Sequence, residues 1–205
     1  MSRLQFKSRQ GFSLIELIMV MAIMLAVAAI AMPRFVTAVS DYQLKSSMVQ
    51  AAGMLQQQRM KAVTLNTTLQ LTPGTKDNGR SYAWVDLAGG TAAYAVPDPI
   101  VELPKNISVV SSGYPGDATT GLSYTPQNVS SAVIKFNARG LPCVGTGGAC
   151  SNIVSVSGGG TQQVGFVLYF KNDKTFGVSS WGAVTITPAG RIRTWFYNGS
   201  AYSPM

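Results

Sequence analysis

A long apolar segment lies close to the start of the chain. Over residues 12–32, Ser13 and Glu16 are the only polar side chains. A helix rises 1.5 Å per residue, so a segment of this length reaches about 30 Å, the thickness of the hydrocarbon core of a bilayer. The pattern predicts a membrane-spanning helix over residues 12–33.

The next segment, residues 34–66, contains one glycine and no proline, and its apolar positions recur at steps of three and four. This spacing predicts an amphipathic helix that leaves the membrane and packs on a globular head. A free-standing coiled coil is a weaker alternative, because the heptad pattern breaks at Ser46 and Gln56. The predicted head-facing stripe is Phe35, Val39, Tyr42, Val49, Ala52, Leu55 and Ala62, and the predicted solvent side is Asp41, Lys45, Gln50, Gln56, Gln57, Arg59 and Lys61.

From residue 67 onward the pattern changes to short alternating segments separated by Gly, Pro, Asn and Ser. These segments predict strands, and the stretches 72–80, 113–128 and 145–160 predict loops. One helix followed by strands alone indicates an α+β fold with a mostly antiparallel, β-rich head over residues 67–205. The predicted strands are residues 67–71, 81–87, 107–110, 132–137, 165–170, 183–187 and 191–197.

Composition argues against an enzyme. The chain has no histidine, which removes Ser-His and Cys-His nucleophile pairs and histidine-ligated metals. Its acidic residues are scattered among predicted loops and form no acid-base arrangement, so we predict neither a cofactor nor a metal site. The net charge of +8 is uneven, since residues 135–205 hold six basic residues and one acidic residue.

The residues before the apolar segment predict its orientation. Arg3, Lys7 and Arg9 precede it, and no comparably dense basic run follows, so the N-terminus should be cytoplasmic and the head outside the cytoplasm. A secretory signal peptide cleaved near Met32 is a weaker alternative, since such signals have shorter apolar cores without a carboxylate. Glu16 is costly within an apolar segment, at about 2.5–3.5 kcal/mol, which favours a cationic partner for its carboxylate. The alternative is a carboxylate kept at the membrane interface by its nearness to the helix end.

Residues 7–17 read KSRQGFSLIEL. This motif resembles the class III signal of type IV pilins and type II secretion pseudopilins. The resemblance implies that residues 1–11 are a leader, which a prepilin peptidase of the inner membrane removes after Gly11 before methylating the amine of Phe12. It also implies that Glu16 neutralises the N-terminal amine of a neighbouring pilin subunit in a filament. Pro33 resembles the proline at which pilin helices kink, and the expected fold is pilin-like.

Cys143 and Cys150 are the two cysteines of the chain. In an oxidising compartment outside the cytoplasm a disulfide between them is the favoured use. A zinc site would need four ligands, and a redox pair favours the tighter C-x-x-C spacing. Closing so short a loop contributes about 2–2.5 kcal/mol, so the predicted bridge pins a loop.

Two segments of the head, AVIKFNARG at residues 132–140 and VTITPAGRIR at residues 184–193, are similar to the GspH/FimT group of minor pilins and pseudopilins. Members of this group join the tip of a type II secretion pseudopilus or serve as minor pilins, and some bind DNA through a C-terminal Gly-Arg-x-Arg turn. The resemblance therefore implies either a structural subunit or a DNA-binding one.

The residues themselves suggest how DNA would be bound. Alternation along the last strand places Arg191 and Arg193 on one face, about 7 Å apart, where they match successive phosphates. Lys171 and Lys174 are predicted to widen this patch, with stacking from Trp195, Phe196 and Tyr197. The alternative is an edge strand whose charges prevent aggregation.

Overall fold

The computed structural model describes residues 12–75, 81–86, 100–110, 112–118, 124, 127–128, 133–145, 150–156, 160–174 and 177–205. Within these ranges, one helix, α1 (Leu14–Thr64), precedes thirteen strands. The strands are β1 (Leu69–Thr75), β2 (Ser81–Asp86), β3 (Ile100–Glu102), β4 (Ile107–Val110), β5 (Gln127–Asn128), β6 (Ile134–Phe136), β7 (Pro142–Cys143), β8 (Ile153–Val156), β9 (Gly160–Gln163), β10 (Phe166–Asn172), β11 (Ser180–Ile186), β12 (Ile192–Tyr197) and β13 (Tyr202–Pro204).

The strands form two larger sheets and one hairpin. The first sheet has the order β3-β2-β1-β6-β7, and the second has the order β13-β12-β11-β10-β4. All of these neighbours pair antiparallel, while β5 pairs parallel with β10 at the edge of the second sheet. Strands β8 and β9 form a separate antiparallel hairpin. The predicted α+β fold, with one long N-terminal helix and mostly antiparallel strands, is confirmed.

Each of the seven predicted strands corresponds to an observed one, although their ends differ. The predicted strands 81–87 and 132–137 each reach a residue outside the described ranges. All three loop predictions were wrong in part, because β1 continues to Thr75, the stretch 113–128 ends in β5, and the stretch 145–160 contains β8 and the start of β9. Residues 153–156 read IVSV, a β-branched run that favours a strand, but the surrounding glycines and serines masked this signal.

The prediction of which face of α1 meets the head was wrong for four of its seven residues. Phe35, Val39, Tyr42 and Val49 are exposed, whereas the predicted Ala52, Leu55 and Ala62 are buried. The observed buried face is Ser40, Leu44, Ser47, Met48, Ala52, Met54, Leu55, Gln58 and Ala62. Both faces of this part of the helix carry apolar residues, so periodicity alone did not identify the one that packs on the sheets.

Buried polar side chains fix α1 to the backbone of the head. Gln58 is fully buried, and its Nε2 donates hydrogen bonds to the carbonyls of Leu69 (2.9 Å) and Ile134 (3.1 Å), one on β1 and one on β6. Asn172, also fully buried, donates to the carbonyl of Ser40 at 2.6 Å. These bonds satisfy groups that would otherwise lose hydrogen bonding on burial, which explains why polar residues lie on the packed face.

The face of the second sheet remote from the main core holds a smaller cluster that contains Tyr169, Tyr114 and Tyr202. The Tyr169 hydroxyl donates to Asp117 Oδ1 at 2.8 Å, and the Tyr114 ring stacks on the Tyr169 ring. Burial, followed by the hydrogen bond to Asp117, raises the pKa of Tyr169 above the ordinary value of 10.0. The native state therefore holds this proton at pH values where the unfolded chain releases it.

We expect the unfolding free energy to fall once the pH exceeds about 10, by up to ~1.4 kcal/mol per pH unit for Tyr169. The sign follows because, above that pH, the unfolded state binds fewer protons than the native state. Denaturant unfolding of the detergent-solubilised chain across this pH range measures the slope. Tyr169→Phe should reduce the slope, with the exposed Tyr42→Phe as matched control, and an unchanged slope in Tyr169→Phe would contradict the assignment.

Candidate functional site

The helix starts next to the predicted cleavage position. Ser13 has extended backbone angles and precedes the first helical residue, Leu14, while Glu16 lies in the first turn. A carboxylate in this position is stabilised by the free backbone N–H groups of the helix N-terminus. Phe12 and Glu16 are both exposed. Gly11 and the rest of the predicted leader lie outside the described residues.

The part of α1 over residues 14–35 has no covering from the head. Every residue from 12 to 35 is exposed, and the helix contains an 18-residue window with a mean hydropathy of 2.7, none of it buried. The helix is long and apolar enough to cross a membrane. So large an uncovered apolar surface marks contact with lipid or with other subunits.

Pro33 lies inside α1, which continues on both sides of it. Proline lacks a backbone N–H, so the carbonyl of Ala29 loses its usual partner four residues later in the helix. A kink at Pro33 stays a prediction. The position of this proline nevertheless marks the end of the apolar segment, since Arg34 follows directly.

The exposed apolar surface does not end at Pro33. Phe35, Tyr42, Val49 and Met60 are exposed and lie on the side of α1 opposite the head. Spacings of seven and eleven residues return to the same helix face, so these four side chains form one stripe. We call them the outer stripe.

The predicted Gly-Arg-x-Arg turn connects β11 and β12. Thr187 N–H donates to the Arg191 carbonyl, Gly190 N–H donates to the Thr187 carbonyl, and Gly190 has a positive φ of 77°. Arg191, just before β12, and Arg193 within it are exposed, whereas Ile192 is half-buried and packs against the main core. The two guanidinium groups therefore stand on the solvent side of the strand.

A second turn of similar construction lies against the first. Gly140 N–H donates to the Asn137 carbonyl, and Gly140 also has a positive φ, of 73°. The two turns touch, since a Cβ on Gly190 would lie 2.7 Å from the Gly140 carbonyl oxygen. We call residues 137–140 and 187–190 the paired turns. The exposed Arg139 belongs to the first of these turns, and the exposed Arg191 directly follows the second.

Arg59 of α1 holds the paired turns together. Its Nε donates to the Gly140 carbonyl at 3.0 Å, and its Nη1 donates to the Gly190 carbonyl at 2.9 Å. Sequence reasoning assigned Arg59 to the solvent side and did not include Arg139 among the candidates. The segments 132–140 and 184–193 each contain a turn-forming alanine and glycine, Ala138 with Gly140 and Ala189 with Gly190. This pattern indicates two turns but not that they contact each other.

The structure does not bring Lys171 and Lys174 together with the arginines. Val167 of β10 pairs with Thr185 of β11, which pairs with Arg193 of β12. Lys171 lies four residues beyond Val167, about 13 Å further along the strand direction, and two strands away from Arg193. Lys171 Nζ pairs with Asp173 Oδ1 at 2.6 Å, and the hydrogen bond from Lys171 lowers the pKa of Asp173. Lys174 Nζ pairs with Asp41 Oδ1 at 2.8 Å and so ties the head to α1.

The aromatic residues of β12 are partly engaged within the fold. Trp195 Nε1 donates to Thr185 Oγ1 at 2.8 Å, and Lys45 Nζ lies 4.7 Å from the centre of the Phe196 ring. Tyr197 packs at a tilt against Tyr202. All three are half-buried, which limits the ring surface that a nucleic-acid base would reach.

The predicted disulfide between Cys143 and Cys150 is present, with the Cα atoms 5.3 Å apart. A β-bridge between Val144 and Ser151 runs beside it. The bridge joins the end of β7 to the segment that leads into β8. In the described part of the chain, no three His, Cys, Asp or Glu side chains come together as a metal site would require.

In a comparison with protein families, residues 6–32 match the prokaryotic N-terminal methylation motif. The match covers Lys7, Arg9 and the apolar segment, and it ends before the head. This motif supports a pilin-like or pseudopilin-like subunit and implies processing by prepilin peptidase and assembly with other pilins. Together with the apolar helix it fits membrane anchoring. Neither curated proteins nor solved structures gave a match to the chain.

Proposed function

We propose that the protein is a minor pilin or pseudopilin of a type IV pilus or type II secretion system, and that it assembles through α1. The observation that carries the proposal is the coincidence of the methylation motif with a helix that is exposed at every residue from 14 to 35. In this proposal the leader is cut after Gly11 and Phe12 becomes the methylated first residue. Before assembly the protein crosses the inner membrane once, with its N-terminus in the cytoplasm and its head in the periplasm.

The outer stripe supports assembly through the helix beyond the membrane segment. Phe35 and Tyr42 are 68% and 72% exposed, although both are large side chains that would gain from burial. The stripe continues the apolar membrane segment on the side of α1 that the head leaves open. A neighbouring subunit that packs along α1 would therefore bury one continuous surface.

Cleavage at the predicted position tests the proposal. In cells that produce prepilin peptidase, intact-mass and N-terminal peptide analysis should find a chain that begins with methylated Phe12. Gly11→Leu should leave the leader attached and prevent methylation, because the peptidase acts at that peptide bond. Ser8→Leu, which lies in the leader but away from the bond, is the matched control and should be processed. A chain that begins near Met32 would instead indicate an ordinary signal peptide.

The paired turns favour a second candidate function, the binding of DNA without sequence preference. Arg139, Arg191 and Arg193 are all exposed, and the two turns next to them contact each other beside Arg59, toward the end of α1 remote from the apolar segment. Exposed guanidinium groups on neighbouring backbone segments match the spacing of phosphates along a nucleic-acid strand. Because the aromatic rings of β12 are half-buried, the site supports binding through phosphate contacts and not through base stacking.

Backbone-phosphate binding should weaken with salt, with a log-log slope of about −0.9 for each phosphate neutralised on duplex DNA. Arg191→Ala with Arg193→Ala, in the full chain held in detergent, should therefore flatten the slope by up to about two. Lys105→Ala with Lys171→Ala removes the same charge at the other end of the head and is the matched control. Titration of labelled DNA at several salt concentrations measures both. Equal slopes in the two variants would contradict a role for the arginine pair.

A further inference from the structure

The connection between β10 and β11 lies at the end of the head nearest the apolar segment and has no part in the assembly or DNA binding proposed above. The connection between β10 and β11 meets α1 there, since a Cβ on Gly177 would lie 3.9 Å from Thr37 Cγ2. Val178, the next residue, is 87% exposed. The Lys174–Asp41 ion pair fixes the same connection to the helix. An apolar side chain is thus held outward on an anchored loop.

The length of the apolar part of α1 sets how deep this loop lies in a bilayer. Residues 14–33 of α1 span about 30 Å, which fills the hydrocarbon core, so Arg34 lies at its boundary. Thr37 lies about 4.5 Å further along the axis, and the headgroup layer on each side of the core is about 5–7 Å thick. A loop in contact with Thr37 therefore lies at headgroup level whenever the apolar segment spans the bilayer.

The residues at this end of the head combine apolar and charged side chains, as contact with the lipid headgroup layer requires. A cleft of about 260 Å³ opens there, with Phe35, Val36 and Val39 on its apolar side and Asn106 and Lys174 on its polar side. Asp173 and Lys174 line this cleft, Lys174 pairs with Asp41, and Lys171 pairs with Asp173. Arg34 and Lys105 adjoin the lining residues Phe35 and Asn106 in the chain, and Glu102 lies in an adjoining cleft that shares Gln43. These four basic and three acidic described residues leave an excess of one positive charge. An excess of positive charge favours the surface of a membrane that contains anionic phospholipids.

We propose that this membrane-proximal end of the head docks on the bilayer surface, with Val178 inserted among phospholipid headgroups. The inference rests on the proposed membrane anchoring and adds a second contact with lipid. The docked head holds α1 at a fixed depth before assembly, because the loop is tied to the helix at Thr37 and Asp41. Extraction into a filament then has to break this contact as well as remove the helix from the bilayer.

Spin labels at three depths test the proposal in the full mature chain, reconstituted in nanodiscs of phosphatidylethanolamine and phosphatidylglycerol. The labels are attached after Val27→Cys, Val178→Cys or Val63→Cys, and Val63 is an exposed position about 44 Å beyond Arg34. Nickel chelated on lipid headgroups should relax the label at 178 several-fold more than the label at 63. Molecular oxygen, which concentrates in hydrocarbon, should relax the label at 27 most.

The three labels separate failure of this proposal from failure of membrane anchoring. Equal nickel effects at 178 and 63, with a strong oxygen effect at 27, would overturn head docking and leave the anchor standing. A weak oxygen effect at 27 would overturn both. Val178 is exposed, so its replacement should leave the fold intact, and unchanged far-ultraviolet circular dichroism checks this.

Discussion

Gly182→Val should lower the unfolding free energy of the protein by about 2–3 kcal/mol, because it forces α1 away from the second sheet. Gly182 lies in β11 directly below Met48 of the helix. A Cβ at this position would overlap Met48 Sδ and lie 2.7 Å from Met48 Cε and 3.1 Å from the Trp195 carbonyl oxygen. Met48 is fully buried in a close-packed interior, so its Sδ and Cε can move aside only by displacing neighbouring side chains.

Denaturant unfolding of the detergent-solubilised chain, followed by tryptophan fluorescence, measures this effect. Gly53→Ala is the matched control, since a Cβ on Gly53 meets nothing within 4 Å. That change should stabilise the helix by about 0.5–1 kcal/mol. In the Gly182→Val background, Met48→Ala should cost at least about 1 kcal/mol less than it does alone. A Gly182→Val protein as stable as the wild type would show that the helix does not pack this closely on β11.

Much of the fold was predictable because local signals agreed with the tertiary structure. The apolar segment and the strands after residue 67 follow from periodicity and turn residues, and the prediction of β12 with exposed arginines follows from alternation around Ile192. The helix face was not predictable in the same way. Phe35, Tyr42 and Val49 are as apolar as Leu44, Met48 and Leu55, and the choice between the two faces was made by packing against sheets that are distant in sequence.

Polar residues on the buried face show the same limitation. Ser40 and Gln58 are placed in the interior because Asn172 and the carbonyls of Leu69 and Ile134 pair with them there. Asn172 and Ile134 are distant in the chain from Ser40 and Gln58, so the sequence around Ser40 and Gln58 does not indicate them. The hydrogen bonds from Arg59 to Gly140 and Gly190 span 81 and 131 residues, so their contribution to the arginine cluster was equally hidden.

In the predicted cationic patch, basic residues that are close in the sequence are not close in the structure. Lys171 and Lys174 belong to the same basic C-terminal region as Arg191 and Arg193, yet β10 carries them toward the membrane end of the head. Arg139, which is more than fifty residues from Arg191, lies on the neighbouring turn. The strand order, which the sequence did not predict, separates the two lysines from the two arginines and places the Arg139 turn beside the turn before Arg191.

Glu16→Ala should reduce the amount of the protein in sheared filaments by tenfold or more and leave the amount in the membrane unchanged. Membrane insertion should not suffer, because the substitution removes a charge that costs about 2.5–3.5 kcal/mol in an apolar segment. Within the described residues, Arg34 is the first cation after Glu16 along α1, about 27 Å further on. The partner of the carboxylate must therefore come from the chain start or from another subunit.

In the proposed filament that partner is the methylated amine of Phe12 on a neighbouring subunit. Removing one member of a buried ion pair leaves the other charge uncompensated, at about 3–5 kcal/mol, which exceeds what a tenfold loss requires. Glu16→Gln keeps the shape of the side chain without its charge and should fail in the same way, whereas Ser13→Ala, in the adjacent turn, should assemble normally. Immunoblots of sheared filaments and of membranes provide the two measurements. If Glu16→Gln assembled as well as the wild type, the carboxylate would be needed for its hydrogen bonds and not for its charge, and recovery of both variants at wild-type abundance would refute the pairing altogether.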